Sequence, residues 1–111
     1  MRPMMERKTE NKSWDLALKI LARHDQSEAM LAIKLKAQGI DETEINSIIE
    51  KAKAYNFIND TVFAKNILRK AQEKGKTDLW VAAKLLSYGV NKSLIKELVP
   101  IEGMEEYLNH E

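Results

Sequence analysis

Residues 33–45 read IKLKAQGIDETEI and residues 83–95 read AKLLSYGVNKSLI, so the same pattern occurs twice in the chain. The residues that are identical at an offset of fifty are Lys34, Leu35, Gly39 and Ile45 in the first stretch and Lys84, Leu85, Gly89 and Ile95 in the second. Four of the nine other positions hold close substitutes. A repeat of this period predicts one structural unit that is present twice.

Each stretch has the pattern of a corner between two helices. Gly39 follows a short apolar stripe at helical spacing, and glycine is the usual residue just past a helix end because it adopts the left-handed conformation without steric cost. Asp41 and Glu44 have the spacing of a capping box, which begins the next helix. Gly89 and Asn91 repeat this corner in the second copy.

Apolar residues at helical spacing also lie on both sides of each corner, and they predict three helices in each copy. The predicted helices span residues 13–24, 27–38, 41–56, 60–74, 77–88 and 91–99, with a further turn at 103–110. The predicted parts of the chain are a flexible N-terminal tail (1–12), a first three-helix repeat (13–58), a second three-helix repeat (59–99) and an acidic C-terminal segment (100–111). We therefore expect an all-α fold in which two tandem repeats form an elongated helical array.

Composition restricts the function classes. The chain has 111 residues, 44% of them apolar and 32% charged, which is typical of a well-covered globular protein. It has no cysteine, so a disulfide scaffold or a thiolate metal site is excluded. No apolar run approaches the roughly 18 residues of a membrane span, and the first residues lack the apolar core of a signal peptide. We expect a cytoplasmic protein with no membrane contact.

Net charge is +1, but residues 60–90 are basic and residues 91–111 are acidic. Repeated basic positions suggest a surface that meets phosphates or an acidic protein groove. The candidate partner-binding residues are Lys19, Lys34, Lys65, Arg69, Lys70, Lys74, Lys76 and Lys84. The alternative is that these residues only form the solvated faces of their helices.

Trp80 has two interpretations, an interface anchor or a partly buried packing residue, and packing is favoured. His24 and His110 are the only histidines, and the sequence has no nucleophile with a neighbouring base, no glycine-rich phosphate loop and no metal-ligand cluster. We therefore expect a binding protein rather than an enzyme, without cofactor, metal or small-molecule substrate.

The order of these features resembles the RecX family of recombinase regulators over residues 14–99. The segment FINDTVFA (57–64) is similar to the linker of that family, and it is followed by the basic segment around Gly75 and by the second corner. Two features differ from typical members. The chain ends soon after Pro100, where others continue into a third helical repeat, and residues 78–81 read DLWV where relatives are richer in arginine. We expect a member that lacks the third repeat.

The resemblance implies tandem three-helix repeats and a regulatory protein without catalytic activity. It further implies binding in the groove of the RecA filament, with contact to DNA, and inhibition of its ATP hydrolysis, strand exchange and repressor cleavage in DNA repair and the SOS response. Two alternatives stay open from the residues. One is a helical-repeat adaptor for another protein, and the other is a helix-turn-helix-like DNA-binding module. Against the latter, the helix after the first corner begins with Glu42 and Glu44, which phosphates would repel.

Overall fold

The part of the chain that the structure describes forms six α-helices and contains no strand. The computed structural model describes the backbone of residues 4–101 and the side chains of residues 12–101. The helices are α1 (Met4–Arg23), α2 (Glu28–Ala37), α3 (Glu42–Ala54), α4 (Asp60–Glu73), α5 (Asp78–Ser87) and α6 (Lys92–Leu98). The prediction of an all-α fold is confirmed.

The chain divides into two units between Ile58 and Asn59. Unit 1 contains α1, α2 and α3, unit 2 contains α4, α5 and α6, and within each unit every helix contacts the other two. The units have equivalent helix ends: α2 and α5 begin and end fifty residues apart, and α1 and α4 end at Arg23 and Glu73. The sequence repeat is therefore also a repeat of backbone structure.

The core of unit 1 is made by the apolar stripes of its three helices. Its buried residues are Ala17, Leu31, Leu35, Ile45, Ile48, Ile49, Ala52 and Ile58. Leu31 and Leu35, one turn apart on α2, are fully buried. Burial of apolar area of this kind is the main stabilising term of a small helical unit.

The core of unit 2 is built largely at positions equivalent to those of unit 1. Its buried residues are Phe63, Ala64, Ala71, Val81, Ala82, Leu85, Val90, Ile95 and Val99. Val81, Leu85 and Ile95 correspond to Leu31, Leu35 and Ile45 of unit 1. The ring of Phe63 packs edge-on against the ring of Tyr88, with centroids 5.7 Å apart.

Every helix from α2 to α6 begins with a side-chain cap. The capping residues are Ser27, Asp41, Asn59, Thr77 and Asn91. The backbone N–H of Glu44 donates to Asp41 Oδ1 at 2.9 Å, as the capping-box spacing predicted. Such a bond satisfies one of the amides that a helix start leaves without a partner.

The two corners have the predicted left-handed glycines. Gly39 has φ 86° and Gly89 has φ 79°. The N–H of Ile40 donates to the carbonyl of Leu35 at 3.3 Å, and the N–H of Val90 donates to the carbonyl of Leu85 at 3.0 Å. These are the bonds of a Schellman motif, in which a glycine ends the helix and an apolar residue follows it into the core.

Two boundaries differ by more than one residue from the sequence-based expectation. Helix α1 begins at Met4 and not near residue 13, because residues 4–12 contain neither proline nor glycine and are mostly good helix formers. Helix α3 ends at Ala54 and not at residue 56, because Asn56 takes the left-handed conformation at φ 61°. The turn expected at 103–110 lies outside the described residues.

Candidate protein-binding surface

Lys19 and Lys34, the candidate residues of unit 1, line one groove between α1 and α2. We refer to it as the α1–α2 groove, and it has a volume of about 510 Å³. Its lining residues are Leu16, Lys19, Ile20, Ala22, Arg23, Lys34, Ala37 and Gln38. The structure thus brings together two lysines that are fifteen residues apart in the sequence.

The α1–α2 groove has an apolar floor and a basic rim. Leu16 and Ile20 are half-buried and pack against the core of unit 1. The side chains of Lys19, Arg23 and Lys34 are exposed, and none of the described residues that line the groove is acidic. None of the three cations forms an ion pair within the described part of the chain. The groove can therefore hold apolar groups while offering positive charge to a ligand.

The candidate residues Lys76 and Lys84 of unit 2 lie beside one aromatic ring. The Nζ of Lys76 is 5.1 Å from the centroid of the Trp80 ring, and the Nζ of Lys84 is 5.7 Å from it. The Lys84 Nζ also lies 5.7 Å from the Tyr88 ring centroid. We call these four residues the Trp80 cluster. Since cations within about 6 Å of an aromatic face are attracted to it, the rings hold both charges at the surface.

Trp80 itself is 38% exposed. It lies in the first turn of α5, where its backbone N–H donates to the Thr77 hydroxyl at 3.0 Å. The side chain is thus partly buried, as favoured from sequence, and its ring also lies beside the two lysines.

The other candidate residues lie on or directly after α4. Lys65, Arg69, Lys70 and Lys74 are exposed. Arg69 Nη1 donates to Glu73 Oε2 at 3.0 Å, an i,i+4 pair on the surface of α4. Arg69 is therefore partly neutralised. The role of all eight residues in binding stays a prediction.

The sequence analysis missed two features of unit 1. Arg23 joins Lys19 and Lys34 at the groove, and its spacing of four residues from Lys19 was the available signal. The second is an aromatic cluster of Trp14, Tyr55 and Phe57, with ring centroids 5.4 to 6.2 Å apart and the Lys51 Nζ 4.4 Å from the Trp14 centroid. Tyr55 and Phe57 are 57% and 51% exposed, so this cluster also lies at the surface.

The described residues contain no group of three or more His, Asp or Glu side chains that could hold a metal ion. Among the described helices, none is long and apolar enough to cross a membrane. What the described surface offers chemically is positive charge beside apolar and aromatic groups.

Comparison with known proteins agrees with this architecture. A family model described as the first three-helix domain of RecX matches residues 14–51, which include the first corner and all of α2. The regulatory protein RecX of Clostridioides difficile (strain 630) is 33% identical over 102 residues, covering 89% of this chain and both units. The chain belongs to the RecX family.

Other RecX proteins show the same level of similarity. The regulatory protein RecX of Syntrophotalea carbinolica is 36% identical over 64 residues, which cover 58% of this chain. That of Caldanaerobacter subterraneus subsp. tengcongensis is 31% identical over 83 residues, which cover 75% of it. The alignments cover 42% to 47% of these three RecX proteins, so this chain spans less than half of their length.

Proposed function

We propose that this protein binds the RecA filament on DNA and inhibits it, and so acts as a regulator in DNA repair and the SOS response. The observation that carries the proposal is the match of unit 1 to the first RecX domain, together with relatives that are named regulatory proteins. Binding to a bacterial recombinase places the protein in the cytoplasm.

The described surface is suited to binding and not to chemistry. The eight predicted basic residues are exposed or half-buried, and two pairs of them meet at a ligand-sized groove and at an exposed tryptophan. Apolar and aromatic anchors beside charges are the usual composition of protein interfaces. We propose that these basic residues contact the filament and that the protein has no catalytic activity of its own.

The mechanism is a shift between filament states. A ligand changes such an equilibrium only when it binds one state more tightly than the other. The protein would bridge neighbouring recombinase subunits and stabilise the filament conformation that hydrolyses ATP slowly. Inhibition of strand exchange and of repressor cleavage would follow from the same stabilised conformation.

Inhibition of ATP hydrolysis tests the proposal. ATP hydrolysis by RecA on single-stranded DNA is measured with increasing amounts of the protein, and a decrease that saturates is expected. The variant Lys76→Glu/Lys84→Glu, which reverses both charges of the Trp80 cluster, is expected to inhibit less. A matched control is Lys12→Glu/Lys36→Glu, which changes net charge equally at two exposed lysines outside the candidate set. An unchanged hydrolysis rate at a several-fold excess of wild-type protein would refute the proposal.

The structure does not favour the helix-turn-helix alternative. Glu42 is exposed at the start of α3, where a recognition helix would meet DNA. An adaptor for a different protein would use the same surfaces, and a pull-down with the tagged protein from its native cytoplasm distinguishes the two by naming the partner.

A further inference from the structure

The α1–α2 groove of unit 1 is lined by residues whose chemistry is not repeated in unit 2. Fifty residues after Leu16, Ile20 and Arg23 come Asn66, Lys70 and Glu73. The two apolar residues of the floor correspond to polar residues in unit 2, and the cation of Arg23 corresponds to a carboxylate that pairs with Arg69. The caps and glycine corners recur in both units, so the repeat itself does not require this lining.

The chemistry of the groove indicates its ligand. Its floor, made by Leu16 and Ile20 between two small residues, Ala22 and Ala37, accepts apolar side chains. The exposed cations of Lys19, Arg23 and Lys34 line the same groove, and its described lining residues include no carboxylate. A ligand that satisfies both features has apolar side chains flanked by carboxylates.

We propose that the α1–α2 groove binds an acidic segment of the partner protein whose apolar side chains enter the groove while its carboxylates meet the three cations. This inference rests on the proposed function only in that the partner is a protein. A nucleic acid strand would satisfy the cations as well, but its sugar–phosphate backbone would leave the apolar floor unmatched.

A labelled peptide tests the chemistry of the groove without the recombinase. The probe is a fluorescein-labelled peptide of sequence EELAELLEE, whose binding to the full chain is followed by fluorescence anisotropy at low salt. Binding is expected to weaken by about tenfold or more in Lys19→Glu/Lys34→Glu, because repulsion replaces attraction at two sites. Binding to the wild-type chain is expected to weaken to the same degree when the glutamates of the peptide are replaced by glutamine. The same weakening is expected when its leucines are replaced by serine. The control Lys12→Glu/Lys36→Glu should bind as the wild type does.

Filling the groove provides a second variant that leaves its charges intact. Ala37 is exposed, so Ala37→Phe places a ring in the groove without disturbing the core. Ala37→Phe is expected to bind the peptide much more weakly than the wild type does. Ser87→Phe, which introduces the same ring at the equivalent position of unit 2, is expected to bind it as the wild type does. Circular dichroism melting curves establish that both variants are folded.

Three results would overturn the inference. The first is that the glutamine peptide binds as tightly as the glutamate peptide, and the second is that Ala37→Phe binds the peptide as tightly as the wild type does. The third is that a single-stranded oligonucleotide displaces the labelled peptide at a lower concentration than unlabelled peptide does. Failure of the wild-type protein to inhibit RecA, with the peptide still bound in the groove, would refute the proposed function and leave this inference supported.

Discussion

Ser27 and Thr77 occupy equivalent positions and make the same hydrogen bond. The N–H of Met30 donates to the Ser27 hydroxyl at 3.1 Å, and the N–H of Trp80 donates to the Thr77 hydroxyl at 3.0 Å. Their surroundings differ, because Ser27 is fully buried and Thr77 is exposed. The same N-cap hydrogen bond therefore occurs twice in the chain, once with a buried capping residue and once with an exposed one.

Removing these two caps is expected to destabilise the units unequally. Ser27→Ala removes a fully buried hydroxyl together with the cap of the Met30 N–H, and it is expected to lower the free energy of unfolding of unit 1 by about 1–2 kcal/mol. Thr77→Ala exposes an amide that water can reach, so about 0.5–1 kcal/mol is expected for unit 2. Urea unfolding measures both values, since Trp14 reports on unit 1 in a Trp80→Phe background and Trp80 reports on unit 2 in a Trp14→Phe background. Equal losses would contradict the role assigned to burial.

Gly39→Ala is expected to destabilise unit 1 through backbone conformation alone. The residue has φ 86°, and a Cβ built on it would meet no atom within 4 Å. The cost is therefore that of placing an L-residue in the left-handed region, about 1–2 kcal/mol. Gly39→Asn is the matched variant and should cost less, because asparagine tolerates this region and Asn56 already adopts it after α3. Thermal unfolding of both variants provides the comparison.

The sequence was sufficient for the architecture because helix ends are encoded locally. Gly39 and Gly89, with the caps Asp41 and Asn91, each act through bonds to neighbours within a few positions, so their spacing alone located the two corners. The start of α1 was placed too late because no capping or apolar signal marks it. Asn56 was missed because asparagine ends a helix much less regularly than glycine does.

Less of the candidate site than of the fold could be predicted from the sequence. Lys19 and Lys34 were proposed because their positions recur, but only the packing of α1 on α2 brings them together with Arg23 around one groove. Periodicity gives the face of a helix on which a residue lies. It does not give the distance between residues on two helices, which is set by the side chains packed between them.

Leu35 is expected to be a principal determinant of the stability of unit 1. It is fully buried in the core cluster, and Leu35→Ala should lower the free energy of unfolding by about 2–5 kcal/mol through lost burial and the cavity left behind. Ile33, two residues earlier on the same helix, is 68% exposed, so Ile33→Ala is expected to change it by about 0.5 kcal/mol or less. Guanidinium unfolding followed by circular dichroism compares the two, and a similar effect of both would contradict the assigned core.

The surface pair of Arg69 and Glu73 is expected to contribute little to stability. Both side chains are more than half exposed, and such i,i+4 pairs contribute about 0.3–0.5 kcal/mol. Arg69→Ala should therefore shift the urea midpoint only slightly, and the shift should vanish in high salt. Any loss of RecA inhibition in this variant would then report on contact with the partner and not on unfolding. A salt-insensitive loss of more than about 1 kcal/mol would show that the pair is structural.

Arg23 and Glu73 stand at the last position of corresponding helices, with opposite charges. A gene conversion event that overwrote the first copy with the second would keep the caps and glycine corners intact. The same event would replace the cation of Arg23 by a carboxylate and remove the apolar floor. The two halves thus share their caps and glycine corners but have distinct surfaces.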